Sequence, residues 1–279
     1  MTVLPIALTC GEPAGVGPEL AVAARRHLGA ALPFFWIGDP RHLPAGTKIT
    51  PLTRPEEALT VPADRLPVLV HDFPAPATPG QPAPKNAAAT IAVIERAVTL
   101  VQTGAAAALC TAPINKKALK DGAAFAFPGH TEFLAHLAGG VPVVMMLACD
   151  ALRTVPVTIH CALSEVPGRL TAPLLEETLR LTHAGLKRDF GLDRPRIAVA
   201  GLNPHAGEGG AMGTEELTLI IPLLERLRTE GFDLSGPLPA DTMFHAPARA
   251  RYDAAVCMYH DQALIPIKTV AFDEGVNVT

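Results

Sequence analysis

The sequence has 279 residues, of which 49% are hydrophobic and 18% charged, and its formal net charge is −4. This composition excludes an intrinsically disordered chain, which combines low hydrophobicity with high net charge, and it lacks the surplus of basic residues that marks a nucleic-acid-binding domain. An anionic small-molecule substrate is not excluded, because a site can be locally positive on an acidic protein.

Strand-like and helix-like segments alternate along most of the chain. The predicted strands are, in chain order, 3–9, 33–37, 67–70, 105–110, 142–148, 153–159, 196–201 and 253–259. The predicted helices are 18–28, 86–102, 131–138, 171–189 and 214–229. Strands that are apolar throughout and alternate with helices of this length predict a mostly parallel sheet with helices on both faces.

The sequence has the features of a cytoplasmic protein. Its five cysteines are scattered and include no C-x-x-C pair, which is typical of free thiols in a reducing compartment. The first residues, MTVLPIALTC, have no basic region before the apolar ones and do not resemble a signal peptide. The most apolar stretch, 133–149, is interrupted by His136, a glycine pair and Pro142, which favours helix, turn and strand over a membrane span.

Two segments could hold an anion at the start of a helix. In FPGHTEFLAHLAG, a helix is predicted to begin at Gly129, His130 and Thr131, where free N–H groups and the helix dipole attract phosphate or carboxylate. A plain N-cap by Thr131 is the alternative. In CTAPINKKALKDG, Lys116 and Lys117 fall in the first turn of a helix, either beside an anion or as a solvated pair. The glycine-rich turn in LTCGEPAGVGPEL differs from G-x-G-x-x-G and is only a weak phosphate signal.

Three predicted strands lead into a histidine. TVPVTIH ends at His160, AAVCMYH ends at His260, and RIAVAGLNP is followed by His205. Ligands of an open parallel sheet bind at the carboxyl ends of its strands, so these imidazoles could surround a divalent metal. The gaps of 45 and 55 residues are too long for a metal-binding signature, and scattered polar loop residues are the alternative. Asp261 could orient an imidazole, bind the ion or cap the helix that follows.

Five motifs in order carry a family resemblance along essentially the whole chain. They are GEPAGVGPE, TAPINK, PGHTEFLA, GLNPHAGEGG-x-x-GTEE and YHDQ-x-x-x-P-x-K. Together they resemble the 4-hydroxythreonine-4-phosphate dehydrogenase family of pyridoxal phosphate biosynthesis. The resemblance implies an isocitrate/isopropylmalate dehydrogenase-like fold, with two α/β lobes, mostly parallel sheets and a cleft between the lobes. It also implies a homodimer whose active sites take residues from both subunits.

The resemblance assigns roles residue by residue. It implies a divalent metal, shared across the dimer interface, with three histidine ligands: His160, His205 and His260. Zinc is the expected ion, and magnesium and cobalt are the alternatives. The positions that match substrate contacts of the family are His130, Thr131, Lys268 and Asn277. Lys268 is also expected to act in catalysis, by neutralising charge or by proton transfer.

Residues 1–125 are predicted to form the first lobe, completed by C-terminal segments, and 126–279 the second, with most of the metal and substrate residues. Residues that bind the NAD or NADP cofactor are not assigned. In related isopropylmalate dehydrogenases the loop that binds NAD comes after the position that matches Thr279, and a chain without it is expected to bind the cofactor poorly.

The implied activity is a metal-dependent, NAD(P)-linked oxidation of 4-phosphooxy-L-threonine, followed by decarboxylation to 3-amino-2-oxopropyl phosphate. The closest alternative is a paralogous dehydrogenase that acts on 4-phospho-threonate or 4-phospho-erythronate. A zinc hydrolase could use the same three histidines, but no candidate base is evident near them. A phosphate-binding protein without catalytic activity would not need the metal ligands.

Overall fold

The computed structural model describes residues 3–29 and 31–279. The chain divides into two compact units, the first ending at Val141 and the second spanning Pro142–Thr279. Each unit has a sheet and a hydrophobic core of its own.

The first unit is built on a parallel sheet. Within the described residues its strands are β1 (Ile6–Thr9), β2 (Phe34–Gly38), β3 (Ile49–Leu52), β4 (Leu66–Val70) and β5 (Leu109–Cys110). Their spatial order is β3-β4-β2-β1-β5, and all the pairings are parallel. The central strand β2 is buried along its length, and Phe35, Trp36 and Ile37 are fully buried. A strand that is apolar throughout therefore lies in the middle of the sheet, where both of its faces are covered.

Helices pack on this sheet and on one another. In the described part of the first unit they are α1 (Gly17–Leu28), α2 (Ala87–Gln102), α3 (Lys116–Ala123) and α4 (His130–Leu137). α2 contacts both α3 and α4, and one cluster of buried residues joins Ile94 of α2, Leu119 of α3 and Phe133 of α4. Because of this shared core, the first unit extends past residue 125, where the sequence analysis placed the boundary.

The second unit contains a mixed sheet. Its strands are β6 (Met146–Cys149), β7 (Leu152–Thr158), β8 (Arg196–Ala200), β9 (Asp233–Leu238), β10 (Ala254–Tyr259) and β11 (Val276–Val278). Their spatial order is β11-β6-β7-β10-β8-β9. β7, β10, β8 and β9 run parallel, whereas β6 and β11 are antiparallel to their neighbours. The carboxyl ends of β7, β10 and β8 therefore lie side by side.

Helices cover both faces of the second sheet. They are α5 (Val166–Arg169), α6 (Ala172–Arg188), α7 (Ile221–Thr229), α8 (Ala246–Arg249) and α9 (His260–Val270), and a π-helical turn, Glu216–Ile220, leads into α7. None of the helices in the described ranges is long and apolar enough to cross a membrane.

The two faces of this sheet carry side chains of different size. Since neighbours along a strand point to opposite faces, large residues such as Val155, Val199 and Val256 pack against leucines of α6 and α7. The opposite face packs against α9, and β8 and β10 contribute small residues to it: Ala198, Ala200, Ala255 and Cys257. The prediction of a mostly parallel sheet with helices on both faces is confirmed for this unit.

Candidate functional site

In the second unit, all three predicted metal ligands follow strands that end at the same edge of the sheet. His160 comes two residues after the end of β7, and His260 directly follows the last residue of β10. His205 comes five residues after the end of β8. β10 lies between β7 and β8, so the sheet order explains why widely spaced histidines are carried to neighbouring strand ends.

His160 and His260 lie next to each other at this edge. Their ring centroids are 5.8 Å apart, a separation at which both imidazoles can reach one ion. Both rings line a pocket of about 340 Å³, together with Thr158, Cys161 and Asp261 among others. The pocket is open to solvent, as a site for a small substrate requires.

A carboxylate fixes the ring of His260. Oδ1 of Asp261 lies 2.7 Å from Nδ1 of His260, and the His260 side chain is 38% exposed. When Nδ1 carries the proton and donates to Asp261, Nε2 keeps its lone pair and can bind a metal. α9 begins at His260 with Tyr259 as its N-cap residue. Of the three roles considered for Asp261, the geometry supports the orientation of an imidazole.

His205 lies in a left-handed turn of the backbone. Five consecutive residues have positive φ angles of 52°, 51°, 78°, 42° and 65°: His205, Ala206, Gly207, Glu208 and Gly209. His160 is left-handed as well, with a φ of 45°. A residue other than glycine in this region costs roughly 1–3 kcal/mol and persists only where its surroundings enforce it, most often at functional sites. Two of the three predicted ligands therefore have strained backbones.

Histidine side chains are suitable ligands for a divalent metal, but one chain brings only two of the three predicted ligands together. Over residues 3–29 and 31–279, no three His, Cys, Asp or Glu side chains are grouped closely enough to hold a metal ion. His160 and His260 are brought together, while His205 is not grouped with them. Imidazoles with an orienting carboxylate are nevertheless the ligands that zinc prefers in proteins.

Two predicted substrate residues of the second unit lie away from this histidine pair. Lys268 is exposed in the last turn of α9, about 12 Å along the helix axis from His260 at a rise of 1.5 Å per residue. Asn277 is exposed on β11 and pairs with Leu147, which in turn pairs with Thr154 of β7. Thr154 lies four residues before the end of β7, so Asn277 is level with a point roughly 13 Å short of the carboxyl edge.

In the first unit, the two predicted anion-binding segments come together. α4 begins at His130, and its N-cap residue is Gly129 in an extended conformation. Thr131 is therefore the second residue of the helix, and its interpretation as a plain N-cap is wrong. A methyl group on Gly129 would lie 3.6 Å from Nζ of Lys116 and 3.5 Å from a carboxylate oxygen of Glu132. The ammonium group of α3 thus lies against the start of α4.

His130 is electrostatically unusual among these residues. Its Nε2 atom is buried and, among the residues that the structure describes, has no hydrogen-bond partner. Burial, and secondly the charge of Lys116, lower the pKa of His130 below its ordinary value of 6.5. The imidazole is therefore neutral at neutral pH, and Lys116 is the cation beside this helix terminus. On the same helix α3, Lys117 instead pairs with Asp121 at 2.5 Å.

A buried carboxylate that was not predicted from the sequence, Glu216, lies beneath the His205 turn. Glu216 is 1% exposed and hydrogen bonds to Asn203. A signal was present in the sequence, because Glu216 stands at the start of a helical stripe whose later members are apolar and buried. These members are Ile220, Leu223, Leu224 and Leu227. A glutamate in line with such a stripe is expected to be buried and to need partners.

The sequence of this chain is similar to that of known proteins along almost its whole length. Residues 30–279 match one protein family, described as pyridoxal phosphate biosynthetic protein PdxA. A relative from Paracoccus denitrificans (strain Pd 1222), named 4-hydroxythreonine-4-phosphate dehydrogenase, is 65% identical over 280 residues. The match covers 99% of this chain and 85% of the relative.

Two solved structures extend the comparison. A crystal structure of 4-hydroxythreonine-4-phosphate dehydrogenase from Klebsiella pneumoniae is 36% identical, with a TM-score of 0.89, over 99% of this chain and 86% of the other. A terephthalate 1,2-cis-dihydrodiol dehydrogenase from Burkholderia xenovorans LB400 is 27% identical, with a TM-score of 0.71, over 98% of this chain and 85% of the other. Both similar proteins are named as dehydrogenases.

Proposed function

The chain belongs to the PdxA family of pyridoxal phosphate biosynthetic proteins, and on this basis we propose that it oxidises 4-phosphooxy-L-threonine with NAD or NADP and then decarboxylates the product. The observation that carries the proposal is 65% identity, over 99% of the chain, to a relative named for this dehydrogenase activity. The mostly parallel α/β architecture and the solved neighbours confirm the isocitrate/isopropylmalate dehydrogenase-like fold.

The proposed reaction has two steps. In the first, carbon 3 of the substrate transfers a hydride to the nicotinamide ring, and its hydroxyl group gives a proton to a base. This step yields a β-keto acid and the reduced cofactor. In the second step the carboxylate leaves as carbon dioxide, and its bonding electron pair stays on carbon 2, which then takes up a proton. The product is 3-amino-2-oxopropyl phosphate.

The metal would be held by His160, His205 and His260, with a second copy of the chain completing the site. Zinc is the expected ion, magnesium and cobalt are the alternatives, and any of them would stabilise negative charge on substrate oxygens. The adjacent rings of His160 and His260 support this role. Asp261 adds further support, because its bond to Nδ1 directs the lone pair of His260 to Nε2.

The start of α4 would hold the substrate phosphate. The first N–H groups of a helix lack partners within it and attract anions, and Gly129 lets the anion approach the backbone closely. His130 and Thr131 would add hydrogen bonds, and the nearby ammonium group of Lys116 supports an anionic ligand. Fixing the phosphate here would orient the reacting carbon through binding energy from a remote group.

Lys268 and Asn277 complete the proposed substrate contacts. Lys268 would neutralise a carboxylate or phosphate, or transfer a proton, and its exposure leaves the ammonium group accessible. The role of Asn277 rests on the family resemblance alone. β11 is an edge strand, and β6 and β7 separate it from β10.

A paralogous activity is the second candidate. The dihydrodiol dehydrogenase neighbour shows that the same fold accepts a substrate of different chemistry. 4-Phospho-threonate and 4-phospho-erythronate carry the same phosphate and an oxidisable hydroxyl group. A hydrolase has no support, since the similar proteins named above are dehydrogenases.

The test is a substrate comparison with purified protein. Each of the three phosphorylated acids is incubated with NAD or NADP, with added zinc, magnesium or cobalt, and reduced cofactor and carbon dioxide are measured. We expect 4-phosphooxy-L-threonine to have the highest kcat/KM and to yield equal amounts of both products, and a chelator to abolish turnover. A higher kcat/KM for an acid without the amino group would support the paralogous activity instead.

A further inference from the structure

Glu216 is a buried carboxylate beneath the turn that carries His205. It begins the π-helical turn that leads into α7, and its side chain is 1% exposed. Transfer of a carboxylate from water to a protein interior is costly unless the oxygens receive hydrogen bonds. The groups that donate hydrogen bonds to Glu216 therefore identify the part of the chain that it holds in place.

Both oxygens of Glu216 are bound by one residue, Asn203, two positions before His205. Oε1 accepts the backbone N–H of Asn203 at 2.8 Å, and Oε2 accepts the side-chain amide of Asn203 at 2.9 Å. The same amide also donates to Oε2 of Glu215 at 2.7 Å. Asn203, which precedes the left-handed turn, is thus bound to Glu216 through both its backbone and its side chain.

The backbone around the turn packs directly on this carboxylate. A methyl group on Gly207, in the middle of the turn, would lie 2.6 Å from Oε2 of Glu216. A methyl group on Gly201, just before the turn, would lie 3.1 Å from Oε1. Both distances are shorter than an ordinary carbon–oxygen contact, so Glu216 fits closely against the chain on either side of His205.

We propose that Glu216 is a positioning residue, which enforces the left-handed turn 205–209 and thereby presents His205 at the carboxyl edge of the second sheet. This inference rests on the proposed role of His205 as a metal ligand. A carboxylate suits the task because it accepts hydrogen bonds on both oxygens, whereas glutamine of the same shape has one acceptor oxygen and one donor nitrogen. Glu216 acts only through His205.

The test compares Glu216→Gln, Glu216→Ala and Asn203→Ala with wild type in two measurements. The first is hydrogen exchange of the peptide 203–213 in metal-free protein, and the second is the affinity for Co²⁺ from its visible absorption. Glu225→Gln is the matched control, because Glu225 is an exposed glutamate of α7. His205→Ala reports the loss of the ligand itself.

We expect faster exchange in 203–213 and about 10- to 100-fold weaker Co²⁺ binding in the Glu216 and Asn203 variants, the usual effect of losing a group that orients a metal ligand. Glu216→Gln should have the smaller effect, and Glu225→Gln should match wild type in both measurements. If Glu216→Ala does not fold, the other two variants decide.

Two different failures can be told apart. If His205→Ala loses Co²⁺ affinity while folded Glu216→Gln and Asn203→Ala keep wild-type affinity and wild-type exchange, the positioning role is overturned and the proposed metal site stands. If wild type and His205→Ala bind Co²⁺ equally, the metal role of His205 fails, and this inference fails with it.

Discussion

Nδ1 of His260 lies 2.7 Å from Oδ1 of Asp261, its neighbour in the chain. Both residues lie in the first turn of α9, directly after β10. A helix that begins at the end of a strand thus supplies both a candidate metal ligand and the carboxylate that orients it. This pairing needs no contact from elsewhere in the fold.

Asp261→Ala should weaken metal binding by about 10- to 100-fold, since the ring of His260 would lose the acceptor that fixes its tautomer and orientation. Asp261→Asn keeps an acceptor oxygen without the charge and should have the smaller effect. Isothermal titration with Zn²⁺ measures both. Asp273→Asn, an exposed carboxylate after α9, is the control and should leave affinity unchanged. Equal affinity in all three variants would show that Asp261 has no part in orienting a ligand.

His160→Ala and His260→Ala should each lower the metal content of protein purified with added metal and without chelator, because each removes one of two adjacent imidazoles. Elemental analysis after dialysis gives the stoichiometry. His27→Ala removes an exposed imidazole from α1 of the first unit and should leave the metal content at the wild-type level. Negligible metal in wild type and variants alike would contradict the proposed site.

Thr131→Val should weaken the binding of phosphorylated substrates by roughly 1–3 kcal/mol, the cost of leaving a charged group without one partner. Binding of the unphosphorylated analogue and the metal content should barely change. Competition binding with both ligands measures the difference, and Thr99→Val, on exposed α2 surface, serves as the control. Equal losses for both ligands would mean that Thr131 supports α4 and does not contact phosphate.

The titration of His130 should have its midpoint below pH 6.5, since burial and the charge of Lys116 lower the pKa. Lys116→Met should raise the midpoint but not restore it fully, because burial, the larger cause, remains. NMR of the histidine ring protons across pH measures this shift. Lys117→Met removes a charge that is paired with Asp121 and should leave the midpoint unchanged. A midpoint unaffected by Lys116→Met would place the ammonium group away from α4 in solution.

The lowered pKa of His130 also predicts how the stability of the protein changes with pH. The unfolded chain binds a proton at His130 near pH 6.5, whereas the folded chain does so only at lower pH. Folding is therefore favoured above pH 6.5, and this contribution is lost as the pH falls from 6.5 towards the folded pKa. His130→Gln should reduce the loss of unfolding free energy over that interval, as measured by urea denaturation. An unchanged pH dependence would contradict the burial of this imidazole.

Most strands were predictable from sequence, whereas β3, β9 and β11, three of the four edge strands, were not. The apolar runs that form β2, β8 and β10 are buried on both faces, so hydrophobicity alone identifies them. β3 and β9 are short runs that contain a proline, Pro51 or Pro237, and few apolar residues. Proline alone does not decide, since β7 was predicted with Pro156 inside its run. β3 and β9 each lie at the edge of their sheet, where a missing N–H is tolerated. Sequence pattern alone does not reveal which strand will be an edge.

The candidate site was predictable to the extent that topology determines it. Strand ends in a parallel sheet meet at one edge, and this rule led to His160 and His260 as neighbours. The proximity of Lys116 to Gly129 was not predictable, because it depends on how α3 packs beside α4. The hydrogen bonds between Glu216 and Asn203 likewise join residues through the tertiary fold. Local pattern contains no information about such contacts.

The small side chains on one face of the second sheet have a consequence for His260. Ala255 and Cys257 share a cluster with Ala263 and Ile267 of α9, and the volume of these residues sets how far the helix stands from the strands. The height of His260 above the sheet edge is therefore specified by side chains that never approach a ligand. Even Ala255→Val, with no change in charge or hydrogen bonding, would crowd the helix and displace the imidazole at its first turn. The position of His260 thus depends partly on Ala255 having an alanine side chain, which lacks the two additional methyl groups of valine.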